Sequence, residues 1–217
     1  MFRKMATLAT AGVLAAGVAA CGDDGNEPTT PQASNSTPTP VAQIDALSGR
    51  ATQVMLDAGF VEALGTLKLT PAPVGDGTIS KAGVARFPIT GGSVTYYAPG
   101  SVSPYVQGEI SHSGSGLSLT GGGKKVELTD FVVDPGESVL TGKVSVDGKV
   151  AAESAPLFFL DGRTLKPLQT QGETATLQGT TVKLKEEAAA LLNDTFGTDA
   201  LAGGLVIGVA KITVNVA

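Results

Sequence analysis

Tryptophan is absent, histidine and cysteine occur once each (His112 and Cys21), and aromatic residues make up only 5% of the 217-residue chain. A lone cysteine excludes an internal disulfide, so the fold must be held by burial and backbone hydrogen bonding. One imidazole, with no thiol after residue 21, removes the zinc sites that need several His and Cys ligands. Charge is scarce as well: 16% of residues are charged, and no dense run of Lys and Arg occurs. Nucleic acids are bound mainly through basic patches, so nucleic acid is not an expected partner; neither is an anionic membrane surface bound through such a patch.

Glycine is abundant, with 29 residues, and Thr, Ser and Val recur between the glycines. Short strands joined by tight turns use that mixture better than a helical bundle does. The N-terminus has a different character. Arg3 and Lys4 precede a small-and-apolar run from Met5 to Ala20, the pattern of an export signal over residues 1–20. The run is shorter than a bilayer span and is followed by acid. Val18-Ala19-Ala20-Cys21-Gly22 resembles the lipobox of bacterial lipoproteins, with Val18 where Leu is usual. That resemblance implies cleavage before Cys21 and a diacylglyceryl group on its sulfur, since a thiolate is the strong nucleophile such chemistry needs. The competing reading is a buried thiol at the end of an ordinary secretory signal. With lipid on Cys21, the protein is expected on the extracytoplasmic face of a cell membrane, held by that anchor. The mature chain would then carry thirteen basic against twenty acidic residues.

Residues 21–40 comprise Cys21 and a Gly, Asp, Asn, Pro, Thr and Ser mixture ending Ser36-Thr37-Pro38-Thr39-Pro40. Too little of it is apolar to offset the entropy of ordering, so an extended, disordered linker is expected. Asp23, Asp24 and Glu27 read as a solvated acidic run rather than a metal site.

From residue 41 to 217 a single β-rich domain is expected. Ala51–Leu64 places Val54, Ala58, Val61 and Leu64 at helical spacing, and Gly65 follows as a stop. Beyond it the period becomes two. Val106, Ile110 and His112 share one face of a strand; Leu117 and Leu119 mark a second; Val126, Leu128, Phe131 and Val133 follow the Gly121–Gly123 turn. Asp134-Pro135-Gly136 and Asp147-Gly148 are further turns, flanking the alternation Leu140, Gly142, Val144, Val146. Leu157–Leu160 reads as a strand buried on both faces. A second helix, Lys185–Phe196, carries acids in its first turn and buries Leu184, Ala188, Leu191 and Leu192, with Gly197 closing it. Val206–Val216 alternates as a central or closing strand. The class is mainly β: an antiparallel sandwich or barrel-like sheet, with two short helices over an end or edge.

Catalytic patterns are missing. No serine sits in a Gly-x-Ser-x-Gly elbow, no phosphate loop or dinucleotide fingerprint occurs, and Glu186-Glu187 are neighbours on a helix that point apart. The chain is therefore read as a non-enzyme without a metal. His112 is the one candidate ligand contact. It is either a core histidine satisfied by a neighbouring carbonyl or part of a pocket shared with Tyr96 or Tyr97, only one of which can face it.

Three stretches share a further likeness: Gly91-Gly92-Ser93-Val94, then Gly108-Glu109-Ile110-Ser111-His112-Ser113-Gly114-Ser115-Gly116-Leu117-Ser118-Leu119, then Val126 to Asp134. With Thr176-Leu177, the Ala-rich helix and the closing strand, they resemble the HtaA-type domain of actinobacterial haem-uptake proteins over most of residues 55–216. The resemblance implies an exported β-rich domain whose haem-binding members hold iron through an early tyrosine, aided by a histidine in a Gly-His-x-Gly segment. Here the early helix has Phe60 and no tyrosine, and His112 stands one residue before the matching position, held by Ser113. Three functions follow as expectations: a lipid-anchored envelope module binding an unknown ligand or protein, a pocket near His112 for haem or another hydrophobic ligand, or a structural or adhesive component.

Overall fold

The structure, a computed structural model, describes residues 37–216. Cys21, the leader and most of the linker lie outside those residues. Thirteen strands form one curled antiparallel sheet, a half-barrel, so the barrel-like form of the expected class is the one adopted. In chain order the elements are β1 (Ala42–Ile44), β2 (Ala51–Leu56), α1 (Ala58–Thr66), β3 (Thr70–Gly75), β4 (Thr78–Ile79), β5 (Val84–Pro88), β6 (Gly91–Tyr96) and β7 (Val106–Gly121). Then come β8 (Lys124–Asp134), β9 (Val139–Val146), β10 (Lys149–Asp161), a 3-10 turn (Gly162–Thr164), β11 (Gln169–Gln171), β12 (Thr174–Leu184), α2 (Glu186–Phe196) and β13 (Val206–Asn215). Their order in the sheet is β1-β6-β7-β8-β9-β10-β12-β13-β2-β5-β4, with β3 beside β7 and β11 beside β12.

The hairpins follow from turn chemistry. Gly122 and Gly123 both have positive φ (56° and 77°) between β7 and β8, as do Asp147 and Gly148 (50° and 78°) between β9 and β10. Left-handed backbone at both central positions matches the twist of the flanking strands, and Gly and Asp tolerate it.

Ala51–Leu64 is not one helix. Its first six residues form β2, hydrogen-bonded to β13 on one side and β5 on the other. Ala-Thr-Gln-Val-Met-Leu satisfies a period of two as well as a helical one, and pairing on both edges decides between them. Asp57 then starts α1 by accepting the N–H groups of Gly59 (2.9 Å) and Phe60 (3.4 Å). The two strands expected at 106–112 and 117–119 are likewise one sixteen-residue strand.

That strand carries a bulge. The register of β7 with β8 shifts between His112 and Gly116, and that of β8 with β9 between Thr129 and Val132. Gly114 (φ 75°) and Asp130 (φ 54°) take the left-handed backbone there, and the Asp130 carboxylate accepts the Gly114 N–H at 2.8 Å. A bulge reverses parity. Ile110 and His112 are buried at even positions and Leu117 and Leu119 at odd ones; on β8 the buried set changes from Val126 and Leu128 to Phe131 and Val133. Because parity reverses in both strands, the buried side chains of both halves stay on one face: Ile110, His112, Phe131 and, beyond the bulge, Leu117 all line the concavity. Leu128, paired with Leu117, lies beside α2, where it meets Leu157, Ala188 and Leu192 around a cavity of about 140 Å³.

Both helices therefore lie against the sheet. α2 packs on β8 and β10, and α1 on β13 and β3. On α2 the buried residues are Ala188, Ala189 and Leu192; Leu184 belongs to β12 and Leu191 is half-buried. Glu186 and Glu187 occupy its first turn, and Gly197 closes it at φ 66°. The run Leu157–Leu160 is buried at three positions only, since Phe159 is exposed. β13 sits between β12 and β2 and is a central strand.

Candidate functional site

The concave face of the half-barrel encloses a cavity of about 630 Å³. Strands β2, β5, β6, β7, β8, β12 and β13 each contribute residues to it, among them Val54, Ala85, Val94, Ile110, Val182 and Ile212. These are mostly small or branched side chains, which line a curved wall without filling the space it encloses. Loops 97–105 and 161–168, and the turn after β8, contribute Tyr105, Ser138 and Arg163.

His112 lines this cavity, on the face its parity predicts, yet it is only 1% exposed. Its Nδ1 lies 2.8 Å from the Pro88 carbonyl oxygen, which can only accept, so Nδ1 carries the proton. In the neutral ring Nε2 is then an acceptor, and the Thr52 hydroxyl, 3.2 Å away, donates to it. Both ring nitrogens are engaged by protein. Burial pushes the imidazole below its ordinary value, against the pull of the Pro88 and Phe87 backbone. Phe87 meets the His112 ring edge-on, with centroids 6.5 Å apart, and stacks perpendicular to Phe131 at 5.2 Å. Of the two ways of reading this residue, the satisfied core histidine describes its bonding.

Tyr96 is buried and lines the cavity; Tyr97, on the opposite parity, does not. The histidine's partners are Thr52 and Pro88, not either tyrosine. Tyr96 instead meets Tyr105 edge-on, with centroids 5.9 Å apart. The Tyr105 phenol is raised above its usual value by burial first and by Tyr96 second. Phe60 is buried in α1 and does not reach the cavity lining.

A charged cluster that sequence reading did not single out stands where β10 ends. Asp161 is buried to 8% side-chain exposure. Its Oδ2 accepts from Arg163 Nη2 (2.6 Å) and Lys183 Nζ (2.8 Å), and its Oδ1 from Arg163 Nε (2.9 Å). The guanidinium first, then the lysine, hold the carboxyl well below the usual carboxylate range. Arg163 and Asp161 both line the cavity, and the arginine side chain is 82% exposed. The ladder between β10 and β12 stops at the pair Asp161–Thr181, so this cluster marks the end of the shared wall. Asp-Gly-Arg directly after a buried run was the signal for it; Lys183, twenty-two residues away, had none. Thr52 was hidden by the helical reading of its segment.

Among the described residues no group of three or more His, Cys, Asp and Glu could hold a metal ion, and no helix is long and apolar enough to cross a membrane. Fold and site together define a curled, antiparallel half-barrel around an apolar cavity. That fold is similar to the C-terminal domain of HtaA from Corynebacterium glutamicum, at a TM-score of 0.54 and 13% identity, over 78% of this chain and 98% of that one. A domain-swapped dimer variant of the same domain is also similar, at 0.45 and 14% identity, over 74% and 92%. No protein-family model and no curated protein sequence matches the chain.

Proposed function

We propose that this protein is a non-catalytic binding module that carries an apolar ligand in the half-barrel, held at the extracytoplasmic face of a membrane by lipid on Cys21. The cavity is the observation that supports the reading. At about 630 Å³ it falls within the range of small-molecule pockets, roughly 300–1,000 Å³, and its walls are predominantly apolar. Catalysis has little to draw on. The one imidazole is sequestered with both nitrogens engaged, so it can neither activate a nucleophile nor shuttle a proton.

Haem, the ligand implied by resemblance to HtaA-type domains, finds no free imidazole in this cavity. Iron would need a ring nitrogen of His112 or a phenolate. The first is bonded to Thr52 and Pro88. The early helix supplies Phe60, and the two phenols at the cavity wall, Tyr96 and Tyr105, pack edge-on against each other. The reading is therefore an apolar ligand without metal coordination.

N-phenyl-1-naphthylamine, a neutral dye that brightens in apolar surroundings, tests it on the full chain. Saturable brightening at one site is expected. Leu177, half-buried in the cavity wall, offers a second readout, because Leu177→Trp enlarges a side chain where space is enclosed and introduces the only indole of the chain. The variant should bind the dye more weakly, and added dye should change its indole emission. No brightening with the parent chain would overturn the reading. Haemin should give no shifted Soret band.

A further inference from the structure

We propose that the cavity's ligand is an unbranched acyl chain with an anionic head, the chain lying along the half-barrel and the head paired with Arg163. The inference rests on the apolar-ligand reading above and adds the class of ligand.

Shape comes first. The lining runs along β12 from Ala175 to Val182 and along β13 from Ile207 to Val214. At about 3.3 Å per residue each stretch is roughly 20 Å long. A flexible chain can follow a long curved wall of this kind; a broad rigid ring system would need its width in both directions.

Charge supplies the polarity. Asp161 and Arg163 are the only charged residues lining the cavity among the described residues. Asp161 is held as an anion between two cations, Arg163 and Lys183, so the cluster carries one net positive charge. Arg163 uses Nε and Nη2 on Asp161, which leaves Nη1 without a partner among the described residues. The carboxylate fixes the guanidinium fork, and the exposed edge of that fork is open to an oxyanion, the geometry arginine matches best. Asp134, the last residue of β8, and Glu137, in the turn after it, do not line the cavity, and the Asp134 carboxylate accepts the Glu137 N–H at 2.9 Å. An apolar wall with one net cation at its exposed limit fits a molecule with an apolar tail and a single anionic end.

The same chemistry is shared by a fatty carboxylate and by a phosphate monoester of a long-chain alcohol. Displacement of N-phenyl-1-naphthylamine from the full chain, carrying Cys21→Ser so that no acyl group of its own competes, separates the cases. The probes are dodecanoate, dodecyl phosphate, dodecanol and dodecylamine. The two anions should displace the dye about tenfold more effectively than dodecylamine, as expected for a charge-assisted hydrogen bond. The stronger of the two anions names the head. Shortening dodecanoate to decanoate should weaken it by about fourfold for each methylene removed.

Arg163→Gln should abolish the preference for anions and leave dodecanol unchanged, and Arg163→Lys should restore part of it. Unchanged dodecanol binding also shows that the variant is folded. Dodecylamine binding as well as dodecanoate, or Arg163→Gln retaining the full preference, would overturn this inference while the apolar-ligand reading stands. If the dye binds and none of the four probes displaces it, the acyl-chain inference fails alone; if the dye itself does not bind, both fail.

Discussion

Replacing His112 by alanine tests whether this residue holds the fold or serves a ligand. The substitution removes a ring that is 1% exposed and leaves two polar groups without their partner, the Thr52 hydroxyl and the Pro88 carbonyl. A buried group so abandoned costs about 1–3 kcal/mol, and the edge-on packing against Phe87 is lost as well. The sum is about 3 kcal/mol, because the Pro88 carbonyl is only part-buried and water can reach it in the neighbouring space. For a domain of this size each kcal/mol moves Tm by roughly 2–4 °C, so His112→Ala should melt roughly 6–12 °C lower. Scanning calorimetry and urea titration at pH 7 measure both quantities. His112→Asn keeps a donor near the Nδ1 position and should lose less than alanine does. The pH dependence gives a second, independent readout. Burial sets the folded-state value below the ordinary 6.5 of histidine, so between the two the unfolded chain binds more protons. Stability is then full above the ordinary histidine value and falls as pH drops beneath it, by at most about 1.4 kcal/mol per pH unit. The asparagine variant should lack that slope between pH 7 and pH 5.5. Equal urea midpoints for alanine variant and parent, or equal slopes for asparagine variant and parent, would refute the structural role.

Gly108 has φ 111°, and a Cβ there would collide with the Ser93 carbonyl of β6. Gly108→Ala should therefore cost about 2 kcal/mol or more, read as a lower urea midpoint with an unchanged m value. Asp161 is depressed by Arg163 and Lys183, so the stability it contributes is present above the ordinary carboxylate value of 3.8 and is lost as pH falls below it. In Asp161→Asn the acid-unfolding curve should lose that component, while a variant at an exposed carboxylate such as Glu153 should keep it. Cys21→Ser should move the protein from the membrane pellet to the soluble fraction, and mass spectrometry of the native protein should find acyl groups on the parent only.

Elements whose side chains alternate against one buried face were legible in the sequence. The Gly122-Gly123 and Asp147-Gly148 turns were legible for a different reason, since the backbone they need excludes most other residues. Ala51–Leu56 was misread because its apolar spacing satisfies two periods, and only the hydrogen bonds from β5 and β13 choose between them. The position of His112 on the buried face followed from parity. Its bonding did not, because Thr52 lies sixty residues away on a strand that had been read as a helix. Bulges are invisible in the same way: the two extra residues within Ser113–Ser115 have meaning only against the partner strand β8. The Asp161–Arg163–Lys183 cluster joins two strands whose ladder is four residues long, and nothing local announces that pairing.

The cavity is a consequence of composition as much as of topology. A sheet curled around its own concave face must either fill that space with large side chains or leave it open. In this chain the β7–β8 hairpin sends Ile110, Leu117, Phe131 and Val133 to the concavity, while Leu128 lies with α2. What remains on the inner wall is largely valine, alanine, isoleucine, leucine and threonine, with no tryptophan anywhere in the chain. Phe87 and Phe131 stack together with His112 rather than spreading through the interior. That trio, pinned by Thr52 and Pro88, gives the wall a rigid patch and leaves the space beside it open. The shortage of large aromatic residues therefore leaves the interior open, and His112, bonded to Thr52 and Pro88, fixes the wall beside it.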